Sequence, residues 1–389
     1  MTSEALTDDY WLEGRITDEG LAKMHAELGR KRQVPGWNSE VTRDNIWHFA
    51  LGVGDDNPLW WDEVYAKASP WGRLIAPPYY ILSHTTGPLV KPEHGQMSTA
   101  AYLPGVMGIY AGSRWEWRRP VHVGEKISAT AELDSVQVNE GSRFGGRSVT
   151  QVEKLQLSTD EGEVVAEIFH TLKRFERQKI AASGGYLDRP LATYTAQDRE
   201  RLEAHYDREA ATLRRGAEPR YVEDVVVGET LGPMLKGPLT VSSVMGFILG
   251  YGSQMLGANR MAHDNLKLHP STKVIHPVNG VADQYGAVHW DADLARAGGM
   301  PAAYDIGPQR FSWFTHLLTD WAGDAGFLVS QDFRFKTPNF MGDVTWITGE
   351  VTEVDAASGL VTIKITGTNQ LEVVNSTAVA KVRLPRRTA

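Results

Sequence analysis

Large apolar and charged side chains alternate through R-W-E-W-R-R-P-V-H-V-G-E-K (114–126) and again through D-F-R-F-K-T-P-N-F-M-G-D-V (332–344). Each run breaks at a proline and a glycine before a second run begins, which predicts strand, turn and strand with one face buried. Ahead of the second stretch, Phe311, Phe314, Leu317, Leu318 and Trp321 recur at helical spacing between Pro308 and Gly323. Proline suits a first helical turn because its missing N–H would be unpaired there anyway, and glycine marks the stop. Ile75-Ala76-Pro77-Pro78 ahead of YYILSHTTG carries the same start signal in the first half. Alternating strands follow in both halves and end at 166–175 and 378–384.

The two patterns match at constant offsets. Trp115, Trp117, Pro120 and Gly124 align with Phe333, Phe335, Pro338 and Gly342 at 218. Thr42, Phe49 and Gly54 align with Thr240, Phe247 and Gly252 at 198, while Asp62 and Ala66 align with Asp291 and Ala295 at 229. Three collinear blocks predict a tandem duplication. The jump between the last two offsets places an insertion in the second copy at about 253–288. The expected organisation is an N-terminal module at 1–176, a charged linker with a helix at 177–218, and a C-terminal module at 219–389. One apolar helix against a long antiparallel sheet in each module makes an α+β layer.

Composition narrows the classes of function. The 389 residues carry 48 acidic against 40 Lys plus Arg, a net charge of −8, which gives no reason to expect nucleic acid as a partner. Zero cysteines exclude disulfides, zinc-thiolate sites, iron–sulfur clusters and a cysteine nucleophile. The start, MTSEALTDDYWLEG, is acidic where a leader would be basic and then apolar, and no apolar run approaches the ~20 residues of a membrane span. A cytoplasmic protein with no membrane partner is expected. His263, His269 and His276 fit no standard metal spacing, and no phosphate loop, nucleophile elbow or dinucleotide fingerprint is present. Neither a metal nor a cofactor is expected.

G-D-D-N-P-L-W-W-D-E-V-Y-A from Gly54, followed by I-A-P-P from Ile75, resembles the MaoC-type dehydratase/hydratase family. Its pattern is D-x-N-P-x-H-x-D-x₃-A, then A-H-G before the central helix, then a strand with x-P-x₃-G-D. The resemblance covers about 40–175 and 220–385. It implies a tandem (double) hotdog fold, each half a long antiparallel sheet wrapped around a central helix, with the halves joined edge to edge. It further implies a lyase that hydrates or dehydrates acyl thioesters on coenzyme A or acyl carrier protein. Adding water across an unsaturated thioester requires a base for the water, an acid for Cα and a donor for the enolate oxygen. In the family an Asp and a His five residues apart move the protons, and a backbone N–H at the helix N-terminus stabilises the oxygen.

Carried onto this chain, the pattern divides between the halves. The first copy keeps Asp55, Asn57 and Pro58 but has Trp60 at the histidine position and Pro78, without an N–H, at the glycine. Its Asp-Asn-Pro run reads as a helix-ending turn, and Trp60 and Trp61 suit an apolar wall for the substrate. In the second copy the Asp291/Ala295 register puts His289 on the histidine and Gly307 on the oxyanion glycine. Five residues before His289 stands Gln284, a substrate contact, so the adjacent Asp283 is expected as the acid through a one-residue bulge. The insertion adds His263, Asp264, His269, His276 and Asn279 as further candidates. Arg118 and Lys336, beside the Pro-x₃-Gly turns, are expected to meet coenzyme A phosphates.

The leading expectation is a hydratase/dehydratase of a bulky enoyl-CoA or 3-hydroxyacyl-CoA, active in the C-terminal half and paired as a homodimer. A thioesterase or isomerase on the same fold stands second. An inactive acyl-CoA binder or partner subunit of a hydratase stands third, because neither half keeps the complete motif.

Overall fold

The computed structural model describes residues 14–87, 102–103, 106–142, 144–184, 186–253 and 256–387. Most of the acidic amino-terminal stretch lies outside them. The first half contains α1 (Asp18–Ala26), β1 (Arg32–Val34), α2 (Arg43–Val53), α3 (Glu63–Ala68), β2 (Val106–Trp117), β3 (Ile127–Asn139), β4 (Ser148–Thr159), β5 (Val164–Glu176) and α4 (Arg177–Ala182). After α5 (Ala196–Thr212), the second half runs β6 (Thr230–Lys236), α6 (Val241–Tyr251), α7 (Asn259–Leu268), β7 (Lys273–Ile275) and β8 (Ala282–Gln284). It continues with α8 (Ala292–Ala297), α9 (Gly307–Ala322), β9 (Phe327–Phe335), β10 (Thr345–Asp355), β11 (Leu360–Asn369) and β12 (Val374–Arg383).

Ten strands form one sheet in the order β1-β3-β4-β5-β2-β9-β12-β11-β10-β6, and β7 pairs only with β8. Every ladder is antiparallel. The order reads alike from either end once the halves are matched. At the β2–β9 junction Arg114 lies opposite Asp332, its own counterpart at the offset of 218. A pseudo-two-fold axis therefore passes between them, and the fold is a double hotdog. The shared Gly124 and Gly342 are explained locally, since both turn the chain with φ near +90° (92° and 90°), where a Cβ is disfavoured.

The repeated threonines cap helices. Thr42 accepts the Asn45 N–H and Thr240 the Ser243 N–H, at the starts of α2 and α6. These two helices then pack backbone to backbone: a Cβ on Gly250 would stand 2.3 Å from the His48 carbonyl oxygen. Below them α9 is the buried central helix, with Phe311, Phe314, Leu317 and Leu318 each 0% exposed. The first half differs from expectation here. Its proline-led segment forms a 3-10 turn, Pro78–Thr85, and not an α-helix. Aromatic and β-branched residues favour the α-helix weakly and Gly87 cuts the run short. Tyr79 from this turn stacks on Phe311 at 4.3 Å, so the two central elements meet at the middle of the molecule. Between the inner faces of β2–β5 and the segment 284–310 lies a cavity of about 1540 Å³.

Candidate active site

Hydrogen bonds fix the register that links the two copies. Asp62 and Asp291 each begin a helix, accepting the N–H groups two and three residues ahead at 2.9–3.0 Å. Seven residues earlier, Asp55 accepts the Asn57 N–H at 3.1 Å and Gln284 accepts the Gly286 N–H at 2.8 Å. Each precedes a 3-10 turn, Pro58–Trp60 or Tyr285–His289. Gln284 is thus the structural counterpart of Asp55, and His289 that of Trp60.

Gln284 and His289 both line the large cavity, together with Gly307 and Lys336. The His289 Nδ1–H donates to the Tyr304 carbonyl at 3.0 Å. A carbonyl can only accept, so the neutral ring carries its proton on Nδ1 and its lone pair on Nε2. Burial holds the imidazole below its usual pKa of 6.5, against the opposing pull of the Tyr304 carbonyl and the Asp305 charge. Asp305 itself is held by the Arg310 fork at 2.7 and 2.6 Å and by the Asn339 N–H at 3.2 Å. Gly307 opens α9, where its N–H has no intrahelical acceptor and the helix dipole is positive. A Cβ there would come 2.8 Å from the Tyr110 ring, so glycine lets that ring close on the helix start. The Gln284 Nε2 is buried with no partner among the described residues.

This arrangement, a neutral imidazole and a helix-terminal N–H in one cavity, is one that acyl-thioester chemistry can use. A family model described as "FAS1-like, dehydratase domain region" matches residues 28–168. A UPF0336 protein of Parafrankia sp. is 31% identical over 33% of this chain and 79% of its own length. The 3-oxo-4,17-pregnadiene-20-carboxyl-CoA hydratase beta subunit of Mycobacterium tuberculosis is 32% identical over 27% of this chain and 81% of its own. Among solved structures, a MaoC-like dehydratase superposes with a TM-score of 0.64 at 15% identity, covering 93% of this chain and all of its own. The chain belongs to the MaoC-type dehydratase/hydratase family.

As a MaoC-type protein it departs from several expectations. Asp283 is exposed, and its Oδ1 accepts the Gln284 N–H at 2.7 Å. Successive residues of β8 point to opposite faces, so with Gln284 turned inward Asp283 faces out, and no bulge brings it round. Trp60 is buried beside Pro77 and Pro78 at a separate void of about 40 Å³. Trp61 is exposed against Trp47, with ring centres 5.8 Å apart. Arg118 pairs with Glu167 at 2.6 Å on the outside of the sheet. None of these four lines the large cavity among the described residues.

Pro78 stands where Gly307 stands in the second half, and its carbonyl accepts the Trp117 indole N–H at 2.8 Å. Asp55 faces a buried charge cluster, with His316 Nε2 at 3.6 Å from Asp55 and 3.3 Å from Asp320, and Lys236 Nζ 2.7 Å from His316 Nδ1. Burial raises the Asp55 carboxyl above the usual range, and His316 opposes that rise. The cluster ties Asp55 of one half to β6 and α9 of the other. For a metal, the described residues offer only His276 with Asp291 and Asp293, without His263 or His269. The sequence reading missed Asp305 and Arg174. Arg174 shares the phase of buried Ala166 and Ile168 along β5, the one signal that marked it; Asp305 lies in a loop, where no periodicity marks it.

Proposed function

We propose that this chain adds water to, or removes it from, the acyl group of a coenzyme A thioester, using the C-terminal half. The reading rests chiefly on one observation: His289, fixed as an Nε2 acceptor by the Tyr304 carbonyl, shares a cavity with Gly307, whose helix-terminal N–H has no intrahelical acceptor. The thioester carbonyl oxygen accepts from Gly307. Water donates to His289 Nε2 and accepts from the Gln284 amide. As the C–O bond forms at Cβ, the double bond's electrons pass to the carbonyl oxygen, where the N–H and the α9 dipole stabilise the enolate. The imidazolium then returns the proton to Cα. One residue thus serves as base and acid, and the Asp305 charge stabilises its protonated form. Lys336 is the cation we assign to the coenzyme A phosphates, and a homodimer remains our expectation for the assembly, tested by sedimentation.

The amide in place of the family's carboxylate favours a second reading, a thioester binder that assists a hydratase. Oxygen-labelled water separates the readings by mass spectrometry. Hydration puts the label in a 3-hydroxyl group; thioester hydrolysis puts it in a carboxylate and frees a thiol. A binder leaves the thioester unlabelled, and that result overturns the proposal.

A further inference from the structure

On β12 the core-facing phase runs Ala378, Ala380 and Val382 and continues to Leu384, all buried and apolar. On β5 the corresponding phase runs Ala166, Ile168, His170, Leu172 and Arg174. Arg174 is 4% exposed and lines the large cavity. Its Nε–H donates to Gln151 Oε1 at 2.6 Å, and its two terminal amino groups have no partner among the described residues. Glu153, on the neighbouring strand β4, is already ion-paired with Arg32. The three charges sum to one cation facing the cavity. The guanidinium lines the cavity with Glu153 and Tyr285 acting on it, and its planar fork matches a carboxylate. A Cβ on Gly108 would lie 3.6 Å from the Arg174 Nη1, and Tyr110, two positions along β2, meets Gly307. Two strand residues rise about 7 Å, so the guanidinium lies a short chain's length from the oxyanion donor.

We propose that the cavity takes a thioester whose acyl group itself bears a carboxylate, received by Arg174. The proposal rests on the thioester reading above. Calorimetric titration tests it without turnover, using saturated ω-carboxyacyl-CoA thioesters, methyl-ended acyl-CoA of equal length, and free coenzyme A. The wild type should bind the carboxylated ligand about 10- to 100-fold more tightly than its methyl-ended counterpart, as for a hydrogen-bonded ion pair. Arg174→Met should abolish that preference, leaving the methyl-ended ligand and free coenzyme A unchanged, and Arg174→Lys should keep part of it. Should Arg174→Met not fold, the wild-type preference decides alone. Equal or reversed preference in the wild type overturns the inference while leaving the thioester reading intact. So does a loss of free coenzyme A affinity in Arg174→Met as large as the loss for the carboxylated ligand, which would assign the arginine to carrier phosphates. If neither thioester nor free coenzyme A binds, both readings fall together.

Discussion

Asp55 and Gln284 are equivalent across the duplication, and each accepts the N–H two residues ahead, yet one faces a buried charge cluster and the other the cavity. The carboxylate and the histidine that the MaoC-type pattern sets on one loop are here divided between two. Asp55 stays in the first half beside Trp60, and His289 in the second beside Gln284. Gln284→Glu reunites them. A carboxylate near an imidazole raises the imidazole's pKa, so the acidic limb of the rate profile should move up by about one pH unit. A pH series of kcat/KM for both proteins checks this, and an unmoved limb would show that residue 284 does not face His289.

Asp55→Ala should cost stability and not turnover. Removing one carboxylate leaves Lys236 and His316 buried with Asp320 beside the histidine and with Glu209 and Asp56 acting on the lysine. Breaking a buried charge network in this way costs about 3–5 kcal/mol. Denaturant unfolding measures it, and a large loss of turnover in the folded variant would relocate the site to the first half.

Asp283→Asn should change neither rate nor stability appreciably, since the side chain is exposed and bonded to its own neighbour's N–H. A rate loss of a hundredfold would restore it as the general acid, the size expected for removing such a group.

The duplication was legible because its marks are backbone devices: helix caps at Thr42 and Thr240, positive-φ glycines at 124 and 342, and the alternation around Trp115 and Phe333. The junction register, Arg114 opposite Asp332, follows from the same offset of 218. The site was less legible. The family pattern, carried over at the Asp291/Ala295 register, pointed to His289, Gly307 and Gln284, but which of Asp283 and Gln284 turned inward depended on the short β7–β8 pairing inside the insertion. Trp60 and Trp61 were read as a substrate wall from their type alone, and aromatic bulk serves a core equally well. Arg174 went unnoticed because a cation on an alternating strand ordinarily faces solvent. Its phase along β5 was the available clue.

His289 must be neutral to act, and burial already holds it below 6.5. Activity should therefore be level between about pH 8 and 6.5 and fall only below that, as protonation removes the Nε2 lone pair. A decline that begins above pH 7 would mean that another group limits the rate.

The most direct measurement is the loss of conjugated-thioester absorbance on incubating a panel of enoyl-CoA substrates, carboxylated ones included, with the wild type and with His289→Ala. The wild type should consume at least one member, and His289→Ala should do so about 10²–10⁴-fold more slowly with an unchanged melting temperature. Equal rates for the two proteins, or no consumption by the wild type, would contradict catalysis at His289.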